Sequence, residues 1–308
     1  MPRISVVIPT RNRAQIVRRA VQSALGQTFT DLEVVVVVDG PDGNTIELLQ
    51  QTNDPRLRVI SLEESVGGSE ARNIGVREAR GEWIALLDDD DEWLPEKLAS
   101  QMTIASHQRE PNYVVTTQYL YSRPGCPPQV WPGRLPRSGQ PLSEFLFAPR
   151  GGFQTSVYLV PRSLFLQKPF RTGLKKHQDW DWFLRLATDP DFQLLWVPLP
   201  LSIYWAPEKK ESSVSTSIDW KFSATWAKEN LSRMTRRAYA MFLVRICVRG
   251  AVESGASIRD LLGLIRELSV VGRTDARLWA EVGAAFVIPT AFRRALSSWI
   301  APLRQARG

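Results

Sequence analysis

The chain is poor in the residues that staple or anchor small proteins. It has two cysteines in 308 residues, Cys126 and Cys247, far apart and in no metal-binding or redox spacing. That excludes a disulfide scaffold and reads as two reduced thiols of a cytoplasmic protein. No stretch approaches 18 uninterrupted apolar residues, so no membrane-spanning helix is expected. The amino terminus runs straight into the strand-like Ile4-Ser5-Val6-Val7-Ile8, with no pattern of a secretory leader. Internal repeats and low-complexity segments are absent. The only histidines are His107 and His177.

What is present is an ordinary globular composition, 44% hydrophobic and 23% charged, with a net charge of +7. The charge is unevenly placed. Residues 1–219 carry 24 basic and 26 acidic side chains, a balance of −2, and residues 220–308 carry 15 and 6, a balance of +9. A pI near 9.6 raises the prospect of nucleic-acid binding. No recognition motif accompanies the charge, and four consecutive aspartates oppose it, so no nucleic-acid partner is expected.

The first hundred residues alternate strand-like and helix-like segments. Strands are expected at Ile4–Ile8, at Leu32–Val38 with its five consecutive valines, at Leu57–Leu62 and at Trp83–Leu87. Helices are expected at Ala14–Gly26, at Ser69–Arg80 and from Pro95 onward. A valine run of that kind suits a strand buried on both faces of a parallel sheet. The alternation argues for a doubly wound α/β fold. Residues 111–207 have shorter apolar segments and many prolines, as in an α+β region, with a strand expected at Ser156–Val160. From Trp220 the strand signals give way to helical spacing, for example Tyr239, Phe242, Leu243 and Ile246. The domain reading is a catalytic unit over 1–215, divided near residue 110, and a basic helical region over 216–308.

Doubly wound sheets bind ligands beyond the carboxyl ends of their strands. Three polar clusters stand at such ends: Thr10-Arg11-Asn12-Arg13, Asp39-Gly40, and Asp88-Asp89-Asp90-Asp91. Adjacent carboxylates repel one another unless they are solvated, hydrogen-bonded or bound to a cation. Hard oxygen ligands at a strand end suit Mg²⁺ or Mn²⁺ bridging to phosphate oxygens. The plain alternative is a solvated acidic turn ahead of a helix.

Five segments in order carry a resemblance to a known family. They are Ser5–Arg13, Val37-Val38-Asp39-Gly40, Gly67-Gly68-Ser69-Glu70-Ala71-Arg72-Asn73-Ile74-Gly75, Leu86–Leu98 with its aspartates followed by Trp93, Pro95 and Lys97-Leu98, and His177–Leu186. Together they resemble the family 2 glycosyltransferases, which use nucleotide sugars and invert the anomeric centre. The resemblance implies a GT-A fold, a Rossmann-like, mostly parallel mixed sheet, here with a C-terminal helical extension. It also implies site roles. Pro9, Thr10, Arg11, Asp39, Arg72, Asp88 and Asp89 would bind the nucleotide. Asp90 would hold Mn²⁺ or Mg²⁺, with Asp88 and Asp91 as further ligands. Asp179 would be the general base, preferred over Asp181, because two carboxylates spaced two apart on a helix diverge by about 200°. Gly151, Gly152, Gln154, Thr155, His177, Gln178 and Trp180 would line the donor and acceptor pocket.

Two departures stand out. Gln178 occupies the position before the base where the family often has an acid, and Gly40-Pro41-Asp42-Gly43 replaces the common Gly-Ser-x-Asp. No Gln-x-x-Arg-Trp segment follows Asp179, which points to single sugar addition rather than polymerisation. The expected partners are a nucleotide-sugar donor, UDP-linked by preference, and a sugar, lipid-linked or other hydroxyl acceptor in polysaccharide or glycoconjugate assembly. Phe292, Leu296, Trp299 and Leu303 repeat at helical spacing beside Arg293, Arg294 and Arg304. They would lie on the inner face of an anionic membrane, or else the helical region would pack on the catalytic domain or form a homodimer. A sugar-nucleotidyltransferase shares the sheet and carboxylates but would open with a Gly-rich phosphate loop, and an inactive nucleotide-sugar binder would need neither base nor metal ligands.

Overall fold

The computed structural model describes residues 1–206 and 219–287. It divides into two compact units, one of residues 1–135 and 150–208, the other of 136–149 and 209–308.

The first unit begins with β1 (Ile4–Thr10), α1 (Ala14–Leu25), β2 (Leu32–Val38), α2 (Gly43–Gln50), β3 (Leu57–Ser61), α3 (Gly68–Glu78) and β4 (Trp83–Leu86). These four strands are parallel, with β1 between β2 and β4 and β3 outside β2. Val34–Val38 are all fully buried, as the valine run requires of a strand covered on both faces. Alternate valines divide between two cores: Val34, Val36 and Val38 face the one containing α1, and Val35 and Val37 face Ala71 of α3. Gly75 is where α3 meets the sheet. A Cβ there would stand 2.4 Å from Val7 Cγ1 and 3.2 Å from Val37 Cγ2, so only glycine permits the observed approach.

Next come β5 (Glu92–Trp93), α4 (Lys97–Ala105), β6 (Tyr113–Arg123) and β7 (Cys126–Trp131), and, within the second unit, the short α5 (Leu142–Leu146). The first unit resumes with β8 (Leu159–Pro161), α6 (Arg162–Gln167), α7 (Gln178–Leu186) and β9 (Gln193–Trp205). Among the described residues the strands form one mixed sheet in the order β3-β2-β1-β4-β8-β6-β9-β5, with β7 also paired to β6. β8 runs antiparallel to both β4 and β6 and marks the change from the parallel half.

Two boundaries differ from the sequence reading. The strand expected at Ser156–Val160 begins only at Leu159, because Thr155–Val157 forms a 3₁₀ turn started by Gln154, whose side chain accepts from Ser156 N–H. The helix expected from Pro95 begins at Lys97, after a turn through Pro95 and Glu96.

The second unit is helical: α8 (Trp220–Glu229), α9 (Arg236–Phe242), a π-helical continuation over Leu243–Val248, α10 (Arg249–Glu253), α11 (Ile258–Val270) and α12 (Ala276–Val287). Tyr239, Phe242 and Leu243 are fully buried. The segment 136–149 belongs to this core: Phe147 packs edge-on against Phe242 at 5.1 Å, and Thr235 donates to Glu144. Several of its basic side chains are paired within the unit, as in Arg245 with Glu281 at 2.8 Å and Arg237 with Asp275 at 2.9 Å. No helix among the described residues is long and apolar enough to cross a membrane. Phe292, Arg293, Arg294, Leu296, Trp299, Leu303 and Arg304 lie outside the described residues, as does the boundary at 215/216.

Candidate active site

Polar side chains from β1, β2 and β4 gather at the carboxyl ends of those parallel strands. After β1, Thr10 donates to Asp89 at 2.8 Å, and Arg13 bridges Asp89 at 3.0 Å and Asp90 at 3.1 Å. Asn12 takes a positive φ of 53°, and its N–H donates to Asp42, which also caps α2 through Thr45 N–H. Asp42 thus fastens the β1 loop and explains why the Gly40–Gly43 turn carries an acid. Arg11 donates to Ser65 at 2.9 Å. Pro9 is buried in register with Val37.

Asp39, at the end of β2, accepts from Ser65 Oγ, Val66 N–H and Gly67 N–H at 3.0, 2.6 and 3.0 Å. Three donors on one carboxylate tie the 65–67 loop down and leave one lone-pair site for a ligand N–H. The sequence offered no sign of Ser65, since a serine 26 residues from Asp39 has no pattern to announce it.

The four aspartates are not a solvated turn. Asp89 and Asp91 are buried and Asp88 and Asp90 half-buried. Asp88 is ion-paired to Arg72 Nη2. Its own N–H donates to Ser156 Oγ, which in turn donates to Asp91 at 2.5 Å. Burial, and then the charge of Asp90, push Asp89 up to about 6 against the opposing pull of Arg13 and Thr10. Burial and Asp88 likewise raise Asp90, and burial with Asp88 and Asp90 raises Asp91 further. The cluster therefore remains short of positive charge although two arginines already serve it.

Arg72 connects this cluster to α7. One amino group reaches Asp88; the other donates to Gly68 C=O at 3.1 Å and to Gln178 Oε1 at 3.2 Å. Its guanidinium also lies 5.8 Å from the ring of Phe170. Gln178 donates from its other end to Leu174 C=O. A carboxylate could accept from Arg72 but could not make that second bond, so glutamine here pins the start of α7 without adding charge.

Asp179 lies in the first turn of α7 and accepts from Trp180 N–H at 2.9 Å. Burial raises it to about 6, Asp88 adds to the rise, and the Trp180 N–H and Arg72 hold it from rising further. Asp181 takes a different path: it is fully buried between Arg171 and Arg185 at 3.6 and 3.1 Å. Asp179 is electrostatically coupled to Asp88. Trp182 is core, whereas Trp180 is half-buried and stacks on His177 at 4.9 Å. Burial and Lys176 depress His177 to about 3, so its imidazole is neutral near pH 7 and offers no positive charge to a phosphate.

The pocket residues of the 151–155 segment are only partly available. Gly151 and Gly152 are buried, Gly152 with a φ of 77°, and Trp131 donates to Gly151 C=O at 2.9 Å. Thr155 is buried, and Gln154 spends its Oε1 on Ser156 N–H while its amide lies close enough to Asp91 to favour the carboxylate without a well-formed bond. Sequence reading missed Arg13, Ser65 and Ser156 as site members. Arg13 stood in a quoted cluster, but Ser156 is drawn in from 65 residues beyond Asp91.

The model of the family described as Glycosyl transferase family 2 matches residues 5–173. The putative colanic acid biosynthesis glycosyl transferase WcaA of Escherichia coli (strain K12) is 34% identical over 196 residues, 61% of this chain and 67% of that one. The amylovoran biosynthesis glycosyltransferase AmsB of Erwinia amylovora is 25% identical over 70% of this chain and 75% of its own. Among solved structures, S. aureus TarS 1-349 in complex with UDP-GlcNAc superposes with a TM-score of 0.62 at 17% identity, covering 92% of this chain and 87% of that one. The mannosyltransferase PcManGT from Pyrobaculum calidifontis, in complex with GDP-Man and Mn²⁺, gives 0.53 at 18% identity over 97% and 80%. These likenesses establish the GT-A arrangement of the sheet.

Proposed function

This chain belongs to glycosyl transferase family 2, and we propose that it moves one sugar from a nucleoside-diphosphate sugar to a hydroxyl acceptor with inversion, in polysaccharide or glycoconjugate assembly. The observation that carries the reading is Arg72, which ties Asp88 at the end of β4 to Gln178 and so holds Asp179 beside the aspartate cluster. Asp179 would take the acceptor's hydroxyl proton as the oxygen bonds to the anomeric carbon. The bond from that carbon to the diphosphate oxygen breaks, and its electron pair leaves with the nucleoside diphosphate. A carboxylate held near pH 6 is ionised at neutral pH yet basic enough for the task. Asp39, Arg11 and the 65–67 loop would seat the base, with UDP preferred. Solved structures of the same fold hold UDP-GlcNAc in one case and GDP-Man in another, so uridine and guanosine nucleotides both belong in the test.

A divalent cation fits the aspartate cluster by its chemistry. Among the described residues no three His, Cys, Asp or Glu side chains converge into a cage. Asp90 is nevertheless half-exposed, spends one oxygen on Arg13, and is raised by burial and then by Asp88, an environment that a bound cation would relieve. Mg²⁺ and Mn²⁺ are commonly held by one or two carboxylates with phosphate and water completing the shell. Asp90, aided by Asp88, would hold the ion, which when bound supplies charge to the departing diphosphate. Arg72 and Arg13 keep the carboxylates oriented for it.

A thermal-shift panel of nucleoside diphosphates and nucleotide sugars, with and without Mn²⁺ or Mg²⁺, tests the donor half. Binding to the native state raises Tm by mass action. A metal-dependent shift with a uridine nucleotide, lost in Asp90→Ala, is expected. Folded protein that shifts with no nucleotide would overturn the reading.

A further inference from the structure

Lys97, the first residue of α4, is fully buried, an unusual place for an amine. Among the described residues no carboxylate pairs with it. Its Nζ donates to Gln101 Oε1 at 2.8 Å, one turn along the same helix, and lies 4.0 Å from the centre of the Trp93 ring. Burial holds its pKa well below the usual lysine range, yet the amine donates to Gln101 in either protonation state. An apolar side chain of the same length would carry no such desolvation cost, so packing does not account for a lysine here.

Both of its contacts lead to one turn. Gln101 Nε2 donates to Val115 C=O at 2.8 Å and to Val157 C=O at 2.9 Å, and Trp93 Nε1 donates to Ser156 C=O at 2.7 Å. The carbonyls of Ser156 and Val157 belong to the 3₁₀ turn Thr155–Val157, which precedes the ladder of β8. Side chains of β5 and α4 thus hold this turn from within the core. Turned over, the Gln101 amide would aim Oε1 at two carbonyls. The Lys97 amine, by occupying Oε1, fixes the orientation that donates. Ser156 is where the turn meets the aspartates: its Oγ accepts from Asp88 N–H at 3.0 Å and donates to Asp91 Oδ2 at 2.5 Å. A shift of the turn therefore moves the Asp88 backbone and the Asp91 side chain together.

We infer that Lys97 is a positioning residue for the aspartate cluster. By fixing the Gln101 amide and covering the Trp93 ring it holds the Thr155–Val157 turn, and through Ser156 it places the carboxylates that would meet the donor's diphosphate and its cation. The inference rests on the proposed role of Asp88 and Asp90 as those carboxylates. Lys97 then serves placement at a cost in stability.

Two variants of the full chain test this. Lys97→Met keeps the length and removes the donor. Gln101→Glu can still meet Lys97 but cannot donate to both Val115 and Val157 C=O. Three quantities are read: Tm, hydrogen exchange of the Asp88 amide by NMR, and Mn²⁺ affinity from the EPR signal of free Mn²⁺, with UDP or GDP present. Lys97→Met is expected to melt no lower than wild type, yet to exchange the Asp88 amide several-fold faster and bind Mn²⁺ several-fold more weakly. Gln101→Glu should move exchange and affinity the same way, and guards against a Lys97 variant that fails to fold. Ser156→Ala should also weaken Mn²⁺ binding, and adding Lys97→Met to it should cost little more, since both act through one side chain. A Lys97→Met protein that melts lower while Asp88 exchange and Mn²⁺ affinity stay unchanged has lost packing only and overturns the inference, as does full additivity with Ser156→Ala. Wild type that binds no Mn²⁺ with either nucleotide refutes the metal part of the proposed function, and Asp88 exchange then decides the role of Lys97 by itself.

Discussion

Asp179 is a carboxylate whose ordinary pKa would make it a weak base, and its surroundings adjust that value. Burial raises it to about 6, with Asp88 adding to the rise and Arg72 limiting it. A base works only when ionised, so kcat/KM for the acceptor at saturating donor should be flat above pH 7. It should fall about tenfold per unit well below pH 6, since protonation removes the acceptor of the proton. Asp179→Asn should lower transfer by about 10²- to 10⁴-fold while nucleotide affinity changes little. Asp89 is also held at about 6, but it faces Thr10 and Arg13, so Asp89→Asn should leave the acid limb where it is. A pH–rate profile of the three proteins checks this, and a limb that persists in Asp179→Asn or moves with Asp89→Asn would remove Asp179 from the base role.

At the scale of elements, the placement of Arg72 depends on how closely α3 lies on β1 and β2. Gly75 sets that distance. Alanine would gain about 1 kcal/mol of helix propensity but must push Val7 or the helix aside. Overpacking of this kind costs about 1–3 kcal/mol. Gly75→Ala should therefore be destabilised on urea unfolding and, because α3 carries Arg72, should also lose transfer activity. Unchanged stability with full activity would show that the helix is free to shift. The elements that build this half were legible in the sequence because periodicity is local. Five valines mark a doubly covered strand, and Asp39 and Asp88 mark strand ends by interrupting apolar runs. The half that carries β8 was harder. Gln154 folds its side chain back on Ser156 N–H and replaces two expected strand residues with a 3₁₀ turn, a local hydrogen bond competing with the ladder. Ser156 reaches the aspartates only because β8 lies beside β4, and pairing across 74 to 78 residues leaves no periodic trace. The opposite fates of Asp179 and Asp181 were partly visible as helical divergence. The partners that bury Asp181, Arg171 and Arg185, became apparent only in three dimensions.

For the whole molecule, the chain path matters more than the charge asymmetry that first separates the C-terminal region. The sequence reading separates the helical region from the catalytic unit at a single point, 215/216. The structure assigns 136–149 to the helical unit as well, so its core is built from two stretches of chain. Phe145, Leu146 and Phe147 are 0, 4 and 6% exposed. Phe147 packs on Phe242 and its carbonyl accepts from Arg245, while Glu144 binds Thr235. Deleting residues 216–308 would strip partners from these three side chains while leaving them in the truncated chain. Burial of each is worth about 1.5–3 kcal/mol, so their combined exposure is comparable to the whole stability of a domain, about 5–15 kcal/mol. The truncated protein should bind a hydrophobic dye, aggregate at concentrations where the full chain is monodisperse, and melt at lower temperature. Replacing Phe145 and Phe147 by serine in the truncated protein should restore solubility, since the liability is apolar surface rather than a missing fold. If the truncated protein is as soluble and stable as the full chain, the 136–149 segment has found other cover, and the basic helical region is then an appendage that the catalytic unit does not need for folding.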